Sequence, residues 1–277
     1  MSPPSTQEWA NLFKSKDFAR SYKRAEQLTG VFADPLIDQS RITSYQPETP
    51  PIVLDNACGT GIISSVLNHR LSDQVRQDWK LTCGDFSEGM VEYTKQRAID
   101  EGWRNVEVKV VDAQETNLPT DYYTHVFASF ECLRVLQPGG TLAITTWKEI
   151  PWISILESSI KSLSPDLPFP DATEYHEIFN KGWGSEIVVH SRFEKAGFTD
   201  VRVTVVPAQV SLPIALLVEL NKSILPALLG RFWTEEQRGE YEVRIPGAMQ
   251  ELLEEKYGVD EVVLLEPVAV IATGRKL

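Results

Sequence analysis

Ile52-Val53-Leu54-Asp55-Asn56-Ala57-Cys58-Gly59-Thr60-Gly61 is an apolar run that ends in a carboxylate and passes directly into a glycine-containing turn. A short run of branched apolar residues reads as a buried strand, and the apolar stretch from Ile62 to Leu71 reads as a helix. Glycine in such a turn lets the backbone adopt left-handed conformations and lets a ligand approach it closely. The alternation then repeats. Trp79–Asp85 reads as a second strand, and Ser87 to Asp100 as a helix with Ser87 at its N-cap. Val106–Asp112, His125–Phe130 and Thr141–Trp147 read as the third, fourth and fifth strands. Strands alternating with helices predict an α/β fold, a Rossmann-like parallel sheet with helices on both faces. Ligands of such sheets bind beyond the carboxyl ends of the strands.

Outside this stretch the pattern is looser. Trp9, Leu12, Phe13, Phe18, Tyr22, Ala25 and Leu28 give a broken helical spacing that Gly30 could end, and a second short helix is expected over Pro35–Ile42. Gln46–Pro51 reads as a rigid linker. Later, Ser154–Leu163 and Ser185–Ala196 read as helices, and Val201–Val206 as a sixth strand that could run on to Leu212. Ile214–Tyr257 is expected to be helical with breaks near Pro226 and Pro246. Val262–Thr273 reads as the last strand, with Pro267 marking a bulge or register change. The chain is thus expected to form a single domain over residues 1–277. It comprises an N-terminal helical cap (1–45), a core (46–212 and 259–277) and a late helical lid insertion (213–258).

Composition narrows the function classes. The net charge of −12 works against phosphate backbones, and no dense Lys/Arg run offers a local basic patch, so no nucleic-acid partner is expected. The Lys14–Arg24 stretch reads as a solvated helix face. No run of apolar residues is long enough for a membrane span, and the N-terminus lacks a secretory pattern, so a cytoplasmic location is expected. Cys58, Cys83 and Cys132 are widely spaced, which points to reduced thiols and no metal site.

Three acids, Asp55, Asp85 and Asp112, stand at the ends of successive predicted strands. Gly59-Thr60-Gly61-Ile62-Ile63-Ser64 has a dinucleotide-like spacing, and Asp85 lies near where a ribose-binding acid belongs. Asp55, four residues before Gly59, argues against a pyrophosphate, which it would repel; it would attract an ammonium or sulfonium group. Taken singly, each acid could be no more than a helix cap.

Val53–Gly61, Gly84-Asp85-Phe86-Ser87-Glu88-Gly89-Met90, Asp112-Ala113-Gln114-Glu115 with Leu118-Pro119, and Leu133–Leu142 together resemble the ordered motifs of class I S-adenosylmethionine-dependent methyltransferases. The resemblance covers residues 46–150, with an echo at Phe193–Phe198. The outer helices resemble those of fungal small-molecule methyltransferases of secondary metabolism. The family implies S-adenosyl-L-methionine as cofactor. Asp55, Ala57, Cys58, Gly59 and Gly61 would hold its methionine part, and Asp85 its ribose hydroxyls. Phe86 and Met90 would pack near the adenine, and Asp112 with the Ala113 amide would bind the adenine amine. The reaction implied is methyl transfer to a small organic acceptor of open identity (N, O, S or C). Oligomeric state is open.

No general base is assigned. His176, expected above the sheet, is the candidate, with solvent exposure as the competing reading. His125 is expected to be structural, His190 on a surface helix, and His69 at a helix C-terminus capping carbonyls. Trp147, Trp152, Phe169, Trp183, Phe232 and Trp233 are candidates for an apolar acceptor pocket, or for ordinary core.

One feature departs from the family. Only ten residues separate Phe130 from Thr141, and a parallel crossover ordinarily takes a dozen or more. A helix over Glu131–Gln137 would be about 10 Å long, at 1.5 Å per residue, and too short to cover its strand. Either a coding segment is missing or the chain is a natural variant with an opened site. An alternative to an active enzyme is therefore a non-catalytic or weakly active methyltransferase-like protein. A third reading, a nicotinamide dehydrogenase, is disfavoured by Asp55.

Overall fold

The computed structural model describes residues 16–44, 50–113, 115–127 and 133–277. Nine strands lie in two sheets. The main sheet is formed by β1 (Ile52–Asn56), β2 (Lys80–Asp85), β3 (Val106–Val110), β4 (Tyr123–Phe127), β5 (Leu136–Glu149), β6 (Phe198–Pro207) and β9 (Val268–Lys276), in the order β3-β2-β1-β4-β5-β9-β6. The first five strands of that order are parallel, and β9 runs antiparallel between β5 and β6. β7 (Val210–Pro213) and β8 (Val262–Leu265) pair separately. In chain order the helices are α1 (Lys16–Thr29), α2 (Ala33–Ser40), α3 (Ile62–Arg70), α4 (Asp73–Asp78), α5 (Glu88–Asp100), α6 (Pro151–Leu163), α7 (Ala172–Tyr175), α8 (Glu186–Lys195), α9 (Ile214–Leu229), α10 (Glu235–Tyr241) and α11 (Ile245–Tyr257).

Successive residues of a strand face opposite sides of a sheet, and the core follows that rule. Val53, Leu81 and Cys83 pack on one face with Leu36, Ile37 and Leu67 of α2 and α3. Leu54, Val126 and Leu142 pack on the other with Val189 and Phe193 of α8. A third core joins Leu156 and Ile160 of α6 to Leu217 and Leu228 of α9 and Met249 and Leu253 of α11. The late helices therefore rest on α6 as a separate layer.

Several boundaries differ from expectation. The first helix ends at Thr29, directly before Gly30 as expected, but a 3₁₀ turn, Gly30–Phe32, leads straight into α2. β4 begins at Tyr123, which puts His125 inside the strand; residues 128–130 of the expected strand lie outside the described residues. No helix forms over the described part of Glu131–Gln137, because β5 already starts at Leu136, opposite Tyr123. Asp112 falls two residues beyond β3. Pro226 sits inside α9, and the chain breaks after Leu229 instead. The expected last strand is two strands in different sheets, divided at Glu266-Pro267. Proline lacks the N–H that would continue the ladder. Ser87 caps α5 as expected, accepting from the Met90 amide at 3.2 Å.

Candidate active site

The β1–α3 turn is built from unusual backbone. Ala57, Gly59 and Gly61 all have positive φ (59°, 54° and 78°). For alanine that conformation is unfavourable, since its Cβ crowds the carbonyl oxygen. A Cβ on Gly61 would meet Thr94 at 3.0 Å and Trp103 at 3.2 Å, so the turn packs tightly on α5 and the loop after it. The turn is also tied from several sides. The Cys58 amide donates to the Gly84 carbonyl at 3.0 Å, and the Thr94 hydroxyl donates to the Gly59 carbonyl at 2.8 Å.

The two buried acids act on this turn differently. Asp55, 3 % exposed, accepts from the amide and hydroxyl of Ser64 at 3.1 and 2.6 Å. Burial pushes its carboxyl up to about 6, against the two Ser64 bonds that pull it down. Asp85, 5 % exposed, accepts from the amides of Gly59 and Ser87, both at 2.9 Å, and so struts the turn against the start of α5. Its carboxyl is also raised, by burial first, with backbone donors opposing. Asp112 is exposed.

A cavity of about 420 Å³ opens over the turn, within the range of small-molecule sites. Asp55, Ala57, Cys58 and Gly59 line it, and Gly61 caps α3 directly behind. Asp85, Phe86, Met90, Asp112 and Ala113 do not line it. Met90 is buried against Ala19 of α1, with Tyr22, Tyr93 and Ile224 around it, because α1 lies across α5. Burial pushes the Cys58 thiol well up, which leaves it an unreactive small side chain in the wall.

Apart from Trp147, the opposite wall was not legible in the sequence. It comes from α1, the 3₁₀ turn and α2 (Tyr22, Thr29, Phe32, Ala33, Leu36) and from β5 (Ala143–Trp147). α1 is fastened to the turn by Glu26, whose carboxylate takes the Thr60 hydroxyl and the Arg97 guanidinium, the latter at 2.8 Å. Arg97 also donates to the Thr60 carbonyl at 3.0 Å. A signal that could have been used is Tyr22 and Glu26 at i,i+4, which puts them on one helix face. Asn56, next to Asp55, was also missed. It lines the cavity at 2 % exposure, and neither its amide nitrogen nor its oxygen has a partner among the described residues. Buried polar atoms without partners are rare, so a polar ligand group fits there.

None of the four histidines lines this cavity. His176 is half-buried in the π-type turn His176–Asn180, with burial lowering its pKa, and the cavity wall there is Asn180. His125 is buried and neutral, pushed down to about 4 by desolvation. His69 contacts the Ser65 carbonyl at 2.7 Å, and His190 lies exposed beside Glu194. Of the aromatic candidates, Trp147 and Trp183 line the cavity. Trp152 stacks edge-on to Trp147 at 5.3 Å, while Phe169, Phe232 and Trp233 belong to the α6–α9–α11 core.

Residues 53–145 match the family described as a methyltransferase domain. The chain is 49 % identical over 270 residues to the acetylaranotin bis-thiomethyltransferase of Aspergillus terreus, covering 98 % of both chains. It is 40 % identical over 292 residues to methyltransferase ktnA of Aspergillus niger, covering 95 % of this chain and 96 % of the relative. The first alignment leaves no room for a long segment present in that relative and absent here; the second includes extra residues of the relative. Haemonchus contortus phosphoethanolamine N-methyltransferase 2, solved with S-adenosylhomocysteine, shares the fold with a TM-score of 0.52 at 14 % identity, over 95 % of this chain and 58 % of that one.

The chain belongs to the class I S-adenosylmethionine-dependent methyltransferases. It is a methyltransferase whose cofactor is S-adenosyl-L-methionine. No helix among the described residues is long and apolar enough to cross a membrane.

Proposed function

We propose that this chain methylates a thiol sulfur on a small secondary metabolite, acting in the cytoplasm. The observation that carries the sulfur assignment is the absence, among the described residues, of any His, Lys or Glu lining the cavity or its apolar neighbour beside α9, while its one carboxylate, Asp55, is held by Ser64 and assigned to the cofactor. An alcohol or phenol needs a base to become a good nucleophile. A thiol, ordinarily near pKa 8.5, is already a few per cent thiolate at neutral pH. The Aspergillus terreus relative, described as a bis-thiomethyltransferase, supports the same reading.

The bound cofactor supplies an electrophilic methyl on a cationic sulfur. The chain's part is placement. Asp55 and the backbone of Ala57 and Gly59 would hold the methionine end, with Asn56 offering a donor and an acceptor. Asp85 keeps the turn in shape. Tyr22, Thr29 and Phe32 close the cavity against water, and the Tyr22 phenol stays protonated because burial, then Asp85 and Glu26, push its pKa up.

The test is the pH dependence of labelled methyl transfer to thiols of different acidity. The midpoint of kcat/KM is expected to follow the ionisation of each thiol. A midpoint that stays fixed from one thiol to the next would reveal a base on the enzyme and end the sulfur-by-self-ionisation reading. A second reading, a slow or cofactor-weak relative, is favoured by the short link from Phe127 to Leu136. Calorimetric binding of S-adenosylmethionine at ordinary micromolar affinity would count against it.

A further inference from the structure

A second cavity, of about 180 Å³, lies next to the first, bounded by α1, α9 and the aromatic pair Trp147–Trp152. Tyr22, Thr29 and Trp147 line both cavities, so a molecule seated in the second meets the first at that shared wall. Its remaining lining is mostly apolar: Ala25, Leu28, Leu220 and Ile224, with Ser223 at the side. The Ser223 hydroxyl is already committed to the Leu220 carbonyl at 2.7 Å. Asn221 is different. It is 3 % exposed, its amide nitrogen donates to the Leu217 carbonyl at 2.9 Å, and its Oδ1 has no partner among the described residues. The orientation of that amide is fixed by the bond: a flipped amide would set oxygen against the Leu217 carbonyl. The orphan is therefore an acceptor, and leaving one buried is costly unless a donor meets it.

We infer that this cavity seats the body of the methyl acceptor, and that Asn221 Oδ1 selects a flat ring bearing an O–H or N–H donor. The inference rests on the methyl-transfer reading for what the ring is doing there, but not for its binding. A cavity of about 150 Å³ holds a benzene molecule, so the space matches one six-membered ring with a small substituent. Trp147 and Trp152 meet edge-on, and offer an edge and a face to such a ring. A ring lacking the donor fills the same space yet strands the amide oxygen. Sites built around a buried polar group discriminate strongly against analogues that leave it unpaired.

Phenol, anisole and toluene separate these terms, since they share a ring and differ in the donor. Their binding to the full chain, in the presence of S-adenosylhomocysteine, can be titrated by ligand-observed NMR. Phenol is expected to bind at least about tenfold more tightly than anisole or toluene, with nuclear Overhauser contacts to the Leu220 and Ile224 methyls. In Asn221→Leu the preference is expected to vanish and toluene binding to improve. Equal binding of the three rings, contacts elsewhere, or a phenol preference that survives Asn221→Leu would each overturn the inference. Should that variant fail to fold, the wild-type comparison and its contacts still decide. Binding of S-adenosylhomocysteine is read in the same samples. Its failure would sink the methyl-transfer reading, while the ring comparison repeated without it still judges Asn221.

Discussion

Asp55 and Asp112 occupy the same kind of place, the carboxyl end of a strand in one parallel sheet, and the molecule treats them in opposite ways. β1 is central, and Asp55 is buried and held by both donors of Ser64. β3 is the edge, and Asp112 lies past its end, exposed. Asp85, on the strand between, is buried and already bonded to Gly59 and Ser87. The comparison teaches that acids at strand tips differ by place in the sheet: the central strands bury theirs among donors, and the edge strand leaves its own in contact with water. Charge alone at that position says little.

The largest effect is expected at Asp85. Asp85→Ala removes the strut beneath Gly59 and should cost about 1.5–3 kcal/mol of cofactor affinity, measured by calorimetry with S-adenosylhomocysteine. Unchanged affinity would erase the distinction between the central and edge acids. Next comes Asp55 and pH. Without ligand, the raised carboxyl makes the folded chain hold a proton more tightly than the unfolded chain, so stability should fall as pH rises from the ordinary carboxylate range through about 6. A cationic ligand prefers the ionised form, so its affinity should weaken about tenfold per unit as pH drops below about 6. Asp55→Asn should flatten that dependence. Asp112→Ala should weaken binding by less than about 1 kcal/mol, because an exposed carboxylate already has water. A loss as large as that of Asp85→Ala would show that the edge acid is held as firmly as the central ones. The smallest change is Ala57→Gly. Relief of the positive φ outweighs the added chain entropy only slightly, for a gain of about 0.5–1 kcal/mol in denaturant unfolding.

The sheet was legible because it is local. Ile52–Asp55 and Lys80–Asp85 are apolar runs closed by an acid, and Ser87 is a cap that any helix start would use. The glycine turn was legible for the same reason. What the sequence withheld is tertiary. Nothing near Tyr22 or Glu26 indicates that α1 folds over Gly59 and Thr60 some 35 positions later, since that contact depends on how α1 packs on α5. Met90, expected near the adenine, packs under Ala19 for that reason. Over the described part of the helix expected after β4, β5 takes its place because pairing of Leu136 with Tyr123 extends a buried ladder, whereas a helix of seven residues would have left its strand uncovered.

The place of β9 bears on how the molecule comes into being. Residues Val268–Lys276 are inserted between β5 and β6, yet they leave the ribosome after every other strand. Until they emerge, β5 is left as an open edge and β6 has no partner strand in the sheet, each a template for stray association. The nascent chain must hold its left half assembled and its right half open, and a single late strand closes the gap.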